Sequence, residues 1–99
     1  MEIEFKIKEK EKFTIVHFEL EGNITPEMLQ ELQPPEVDGT KGVVISGRGP
    51  IWLYCYLTHY YHPTKFVATF DPRIGAVIVE SHNPDYKVGE IIEVNVNEL

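Results

Sequence analysis

The sequence predicts one compact α/β domain, residues 1–99, in which a mixed β-sheet packs with two helices in the order ββαβαβββ. The length is enough for a single modest hydrophobic core. Short apolar runs separated by turn residues predict the strands, and the segments that follow Thr25-Pro26 and Pro50 carry helix start signals. Neither internal repeats nor linkers divide the chain.

The first strand is predicted from apolar residues that alternate with charged ones: Ile3, Phe5 and Ile7. After a charged turn at 8–12, residues 13–20 predict a second strand. The apolar positions of this strand change parity between Ile15 and Val16, which predicts a β-bulge there. His17 is predicted to be a surface residue of this strand rather than a ligand.

A short helix and a turn are predicted next. Thr25 is the expected N-cap, a proline follows in the first turn, and the proline pair at 34–35 ends the helix. An Asp-Gly pair at 38–39 then supplies a turn before a strand at 42–45.

Residues 50–62 predict the second helix, with a proline at its first position and burial of aromatic side chains as its main stabiliser. Strands at 66–70 and 76–79 are joined by a turn at 71–75, and a last strand is predicted at 91–96.

The charge distribution limits the classes of ligand. A net charge of −7 argues against a protein that holds long duplex nucleic acid, so no DNA partner is expected. Residues 40–82 carry four positive and two negative side chains, a balance of +2, whereas the rest carries five positive and fourteen negative ones, a balance of −9. A positive centre on an acidic body fits a small anionic ligand better than a polymer.

Cys55 is the single cysteine, so an intrachain disulfide is excluded. The sequence shows neither a signal-peptide pattern nor an apolar run of about 18 residues. A cytoplasmic location without a membrane partner is therefore expected.

The segment most typical of a binding site joins the strand at 42–45 to the second helix and contains Ser46, Gly47, Arg48 and Gly49. The first N–H groups of a helix lack intrahelical partners and lie at the positive end of its dipole, so they bind anions. Gly47 and Gly49 allow a ligand to approach closely, and Arg48 can contact two phosphate oxygens. A plain turn with an exposed arginine explains the pattern as well, because the Lys-Ser/Thr ending of a P-loop is missing.

His59 and His62 lie on one face of the predicted helix, a spacing suited to metal binding or proton transfer. With Asp71 as a third ligand, the set would resemble an open site of two histidines and one carboxylate. Histidine is also favoured near a helix C-terminus without any chemical role, so both interpretations stay open.

The turn Asp71-Pro72-Arg73 has residues that a type I turn selects at its first two positions, which leaves Arg73 unexplained. If this turn lies beside the loop that begins at Ser46, Arg48 and Arg73 can clamp a phosphodiester while Asp71 holds a divalent cation.

Several motifs together resemble one family: VVISGRGPIWL at 43–53, His59 and Tyr61-His62, and FVA at 66–68 followed by DPRIGAV at 71–77. The chain resembles the small stand-alone CRISPR-associated ring nucleases, which are related to the CRISPR-associated Rossmann-fold sensors and are also described as manganese-dependent RNA deadenylases. The resemblance covers nearly the whole chain. It implies a Rossmann-like fold and cleavage of cyclic tetra-adenylate, the second messenger of type III CRISPR immunity, and hence shut-off of the antiviral response.

The resemblance places the family's catalytic histidine on His62, its acidic residue on Asp71 and its arginine on Arg73. It places Ser46 and Arg48 in the ligand-binding loop and implies Mn²⁺ or another divalent cation, held by His62 and Asp71. It also implies a homodimer, or a tetramer or filament formed on the ligand, that sandwiches the ring between opposite faces. One chain would then not contain a complete active site.

Three functions remain open at this point. They are a metal-dependent ring nuclease, a 3′-end RNA exonuclease that acts on short RNA through the same site, and a non-catalytic sensor of the cyclic ligand. The basic centre suits four phosphates, and tyrosine or tryptophan rings can stack on adenines.

Overall fold

The chain forms a six-stranded sheet whose strands follow one another in chain order. The computed structural model describes residues 2–95 and 97. The elements are β1 (Ile3–Glu9), β2 (Phe13–Leu20), a 3-10 helix (Pro26–Gln30), β3 (Gly42–Ser46), α1 (Ile51–Tyr60), β4 (Phe66–Asp71), β5 (Gly75–Ser81) and β6 (Ile91–Ile92).

The sheet is mixed, as predicted. β2, β3 and β4 are parallel neighbours, whereas β1, β5 and β6 pair antiparallel with the strands beside them. The 3-10 helix and α1 lie in the two crossovers that parallel neighbours need. The expected Rossmann-like order is not found among the described strands, because a Rossmann sheet reverses its strand order at a switch point and these strands run in sequence.

Both faces of the central strands are buried. On one face the crossovers cover the sheet, and Val16 and Ile45 pack in one cluster with Leu53 of α1. On the opposite face the segment after β5 packs against the sheet, with the ring of Tyr86 stacked on that of Phe66 at a centroid distance of 4.5 Å. All five residues of β3 are buried, as is typical of a strand between two parallel neighbours.

The prediction of a β-bulge between Ile15 and Val16 is wrong. β1 and β2 pair without a shift in register along their whole length. Ile15 and Val16 belong to the clusters on opposite faces of the sheet, so the change in apolar parity reflects a strand that is buried on both faces. A register shift lies instead between Val67 and Ala68, where β4 pairs with β5.

The prediction of two α-helices is wrong, since α1 is the single α-helix in the described part of the chain. The segment after Thr25 forms only the 3-10 helix, and the Thr25 side chain makes no capping hydrogen bond with the described residues. None of the residues of the 3-10 helix is buried, so little packing stabilises an α-helix there, and the proline pair limits its extension. α1 begins at Ile51, so Pro50 is its N-cap rather than its first helical residue.

The other predicted strands are confirmed with shifted ends. β4 and β5 extend beyond the predicted 66–70 and 76–79. β6 covers only Ile91–Ile92, and Val96, the predicted end of this strand, lies outside the described residues. Across residues 2–95 and 97, no helix combines the length and the apolar character needed to span a bilayer.

Thr14 in β2 carries an unsatisfied polar group. It is 1% exposed, and its Oγ1 has no hydrogen-bond partner among the described residues. We expect Thr14→Val to raise the free energy of unfolding by about 1 kcal/mol, because a buried hydroxyl without a partner is replaced by a methyl group of similar size. Urea denaturation followed by circular dichroism measures this change.

Thr64→Val is the matched control. Thr64 is also buried, but its hydroxyl donates to the carbonyl oxygen of Tyr61 at 2.7 Å. This variant should lose about 1 kcal/mol of unfolding free energy. Equal changes in the two variants would contradict the account of Thr14.

Candidate functional site

Parallel pairing brings the two predicted binding segments to the same edge of the sheet. β3 and β4 are parallel neighbours, so Ser46 and Asp71 lie at the carboxyl ends of adjacent strands. Neighbouring strands are about 5 Å apart. We call this side the loop edge; it is formed by the loop at 46–50 and the turn at 71–75. The two segments predicted to form a phosphodiester clamp therefore begin at neighbouring strand ends, although Arg48 and Arg73 line separate depressions.

Ser46 is held by a strand neighbour. It ends β3, is 1% exposed, and its Oγ is hydrogen bonded to Nδ1 of His17 at 3.0 Å. His17 lies opposite Ser46 in the parallel register of β2 and β3. The histidine predicted as a surface residue is thus half-buried and belongs to the loop edge.

The loop packs directly on β2. Gly47 has a φ of 141°, which L side chains rarely adopt, and its carbonyl oxygen accepts a hydrogen bond from the Tyr54 hydroxyl at 2.6 Å. A Cβ at Gly47 would lie 2.5 Å from the carbonyl oxygen of Phe18, and one at Gly49 would lie 2.6 Å from the Phe18 ring. Burial raises the pKa of Tyr54, so its hydroxyl remains a donor at neutral pH. Both glycines therefore have a packing role beside the predicted ligand role.

Arg48 is the free cation of the loop. Its side chain is exposed and makes no hydrogen bond or ion pair with residues 2–95 or 97. Together with His17 it lines a surface depression of about 370 Å³ on the loop edge. An unpaired guanidinium so close to the start of α1 adds to the positive potential of the helix N-terminus.

Asp71 and Arg73 form a bidentate ion pair. Nε of Arg73 donates to Oδ1 at 3.1 Å, and Nη2 donates to Oδ2 at 2.9 Å. The hydrogen bonds from the Arg73 side chain and backbone lower the pKa of Asp71, and the carboxylate in turn raises the pKa of Arg73. The predicted turn is confirmed by the hydrogen bond from the Ile74 N–H to the Asp71 carbonyl oxygen at 3.1 Å. Asp71 is thus an ionised carboxylate that orients the Arg73 fork.

α1 carries the chain away from the loop edge to the side where β4 begins. His62 lies there, in the turn at 61–65, and its exposed ring stacks on that of His82 with a centroid distance of 5.1 Å and an interplanar angle of 22°. The ammonium group of Lys65 lies 5.7 Å from the centre of the Tyr86 ring. We call this side, with His62, Lys65 and His82, the histidine edge.

A groove of about 490 Å³ lies between α1 and strands β4 and β5. His59 and His62 both line it, and Glu80 of β5 lies in the same groove. α1 ends at Tyr60, however, so His62 lies in the following turn and the prediction that both histidines share a helical face is wrong. Cys55 and Val79 contribute apolar surface. The groove therefore joins two imidazoles and one carboxylate to a mainly apolar wall.

His62 and Asp71 lie at opposite edges of the sheet within one chain. The six residues of β4 separate these edges by about 17 Å, which is far more than the distance between two ligands of one ion. No group of three or more His, Cys, Asp or Glu side chains within the described residues is placed to hold a metal ion. A single chain therefore does not fit the predicted metal site, in which His62 and Asp71 share one cation.

His17 and His82 are candidate functional residues that the sequence patterns did not single out. Strand pairing alone brings them into place: β2 beside β3 sets His17 against Ser46, and β5 beside β4 brings His82 to the turn that holds Lys65. The His82 N–H donates to the Lys65 carbonyl oxygen at 3.0 Å. Three of the four histidines of the sequence, His82 among them, lie within the positive segment 40–82, and this was the available signal for His82.

These features define a small α/β protein with a loop edge that carries Arg48, Asp71 and Arg73 and a separate histidine edge. Residues 17–93 match the family model for "CRISPR-associated protein (Cas_csx3)", and the chain belongs to this family. The chain is also similar to an "Uncharacterized protein" of Aquifex aeolicus (strain VF5), with 49% identity over 85 residues that cover 81% of this chain and 77% of the relative. The CRISPR-associated membership predicted from the motifs is confirmed.

Gly47→Ala tests whether the loop is held against β2. We expect a loss of about 2 kcal/mol of unfolding free energy, because the φ at Gly47 is strained for alanine and the added Cβ meets the Phe18 carbonyl. Gly39→Ala is the control, since a Cβ at Gly39 has nothing within 4 Å, and it should change stability by less than about 0.5 kcal/mol. Urea denaturation compares both; equal stability of Gly47→Ala and wild type would refute the packing of this loop.

Proposed function

We propose that this Cas_csx3 protein is a ring nuclease, a metal-dependent phosphodiesterase that opens cyclic tetra-adenylate to linear oligoadenylates and so switches off type III CRISPR signalling. Membership in the family and the resemblance of the motifs support this reaction. The observation that carries the proposal is the placement of Arg48, Asp71 and Arg73 at one edge of the sheet and of His62 at the other.

In this proposal the cyclic ligand lies between the loop edge of one copy and the histidine edge of another. A 99-residue domain has little surface with which to enclose a four-nucleotide ring alone. Two opposed edges can contact both faces of the ring and exclude water, which strengthens the interaction of each cation with a phosphate. Each copy therefore supplies half of a site, and the active form is a homodimer or a larger stack.

The loop edge holds the phosphodiester. Arg48 has a free guanidinium among the described residues, and the exposed Arg73 fork is paired with Asp71 at the end of the neighbouring strand. Fixed cations stabilise the negative charge that builds up on phosphate oxygens in the transition state, because they need no reorganisation during the reaction. Arg73 is assigned this role, and Arg48 is assigned ground-state binding.

The histidine edge supplies proton transfer. Cleavage of the ring forms a P–O bond to an attacking oxygen, of water or of the adjacent 2′-hydroxyl, which gives up its proton. The P–O bond to the departing ribose oxygen breaks, and that oxygen receives a proton. An imidazole is suited to this step because its charge changes between about pH 5 and pH 8. His62 is exposed and is held against His82 by ring stacking, and Lys65 adds positive charge to the same edge.

In this proposal, Mn²⁺ or another divalent cation would be held only in the assembled form. His62 and Asp71 do not meet in one chain, but they approach each other when the histidine edge of one copy faces the loop edge of the next. Imidazole and carboxylate groups are both accepted by Mn²⁺, and a bound divalent cation supplies positive charge at the phosphate.

Incubation with cyclic tetra-adenylate and, separately, with a linear oligoadenylate tests the proposed reaction. With Mn²⁺ we expect the ring to be opened to short linear products faster than the linear oligomer is shortened, because the acidic body of the protein disfavours extended RNA. Chromatography and mass spectrometry identify the products. A matched reaction with a chelator in place of Mn²⁺ should show no turnover.

Two outcomes would contradict the proposal. Faster shortening of the linear oligomer would identify a 3′-end exonuclease. Tight binding of the ring without turnover in Mn²⁺ would identify a sensor.

A further inference from the structure

We infer that His17 is a phosphate-binding residue of the loop edge, and that Ser46 serves to orient it rather than to contact the ligand. The inference rests on the proposed function and names one more residue of the same site. It starts from burial, because Ser46 is only 1% exposed while the side chain of His17 is 24% exposed. Of the two hydrogen-bonded side chains, His17 is the one that reaches the surface.

The position of His17 fits a ligand contact beside Arg48. Both residues line the depression of about 370 Å³ on the loop edge, together with Phe18, Glu19 and Leu20. Nδ1 of His17 faces inward to Ser46 Oγ at 3.0 Å. The imidazole is therefore anchored by one nitrogen, and the other nitrogen, Nε2, is available to a molecule in the depression.

The neighbours of Nε2 determine which nitrogen carries the proton. Oε1 of Glu19 lies 3.9 Å from Nε2. A bare nitrogen lone pair facing a carboxylate is repelled, whereas an N–H is attracted, so the proton is assigned to Nε2. The Ser46 hydroxyl then donates to Nδ1 in the neutral ring. His17 thus presents an N–H donor to the surface, and a phosphate oxygen can accept a hydrogen bond from this group.

The charge around His17 is compatible with an anion. Lys6 lies opposite His17 in the β1–β2 register, and its Nζ donates to Glu19 Oε1 at 2.8 Å. This pair offsets the carboxylate charge nearest to the imidazole. Arg48 has no partner among the described residues and supplies the positive charge of the depression. A phosphate there would receive one hydrogen bond from His17 Nε2–H and contacts from the Arg48 guanidinium.

Two substitutions separate ligand contact from internal support. An asparagine amide reaches the place of Nδ1, so His17→Asn keeps the bond to Ser46 but removes the outward donor. A glutamine amide reaches the place of Nε2, so His17→Gln keeps the donor. Cyclic tetra-adenylate binding is measured by calorimetry in the presence of a chelator, and the stability of each free protein is measured in urea. Thr14→Val on the same strand is the control.

We expect His17→Asn to weaken binding about tenfold, because a hydrogen bond to a charged phosphate is lost. His17→Gln should stay within about threefold of wild type, and Thr14→Val should bind as wild type does. The ¹⁵N resonance of His17 Nε2 should shift when cyclic tetra-adenylate is added. These results would support the inference.

Equal affinities of wild type and both His17 variants for cyclic tetra-adenylate would overturn the inference about His17 and leave the proposed function intact. Equal losses in His17→Asn and His17→Gln, with lowered stability in both, would show a structural role and overturn it as well. If wild type does not bind cyclic tetra-adenylate, the proposed function fails, and inorganic phosphate becomes the probe. A shift of the Nε2 resonance on phosphate addition would then support the inference, and an unmoved resonance would overturn it.

Discussion

The parallel pairing of β2, β3 and β4 determines where His17, Ser46, Asp71 and His62 lie. β3 is buried along its whole length and has a parallel neighbour on each side. Because each parallel pair needs a crossover, the chain must return to the starting edge before the next strand begins. The carboxyl ends of β3 and β4 therefore place Ser46 and Asp71 at the loop edge, where His17 of β2 lies opposite Ser46, while α1 carries the chain to His62 at the opposite edge.

The same strand pairing divides the charged side chains and the histidines between two opposite edges of the sheet. At the loop edge, Asp71 and Arg73 satisfy each other and Arg48 remains free in the described structure. At the histidine edge, His62 stacks on His82 without a carboxylate ion pair among the described residues. In the proposed function, contact between copies completes the site, so breakdown of the messenger would depend on the amount of protein as well as on the ligand.

Much of the fold was predictable because strands and turns depend on local signals. Alternation, apolar runs and turn residues locate all six strands to within a few residues, and the Asp71 turn forms as its residues predict. The wrong predictions concern segments whose structure depends on tertiary packing. The parity change at Ile15 and Val16 predicts a bulge, whereas it reflects burial on both faces of the sheet. The segment after Thr25 has the start signals of an α-helix but no buried residue within Pro26–Gln30 that would stabilise one.

The sequence predicts which segments form the candidate site but not how their side chains contact one another. The loop after β3 and the turn after β4 were predicted, and their adjacency follows once these strands are known to be parallel. The contact between His17 and Ser46 depends on which strand lies beside β3, and the packing of Gly47 on Phe18 depends on the path of the loop. Neither relation leaves a pattern in a single sequence.

In the proposed function His62 and Asp71 act in one site from different copies, and mixing two inactive variants tests this arrangement. His62→Ala and Asp71→Ala are purified, each shown to be folded and inactive, and combined in equal amounts before cyclic tetra-adenylate is added. Random exchange should restore activity to about one quarter of wild type, because that share of sites receives one intact histidine and one intact aspartate. The double variant mixed with either single variant should remain inactive. If the two single variants fold and bind the ring, yet their mixture stays inactive and wild-type turnover per chain does not change with protein concentration, the site is self-contained and the account is contradicted.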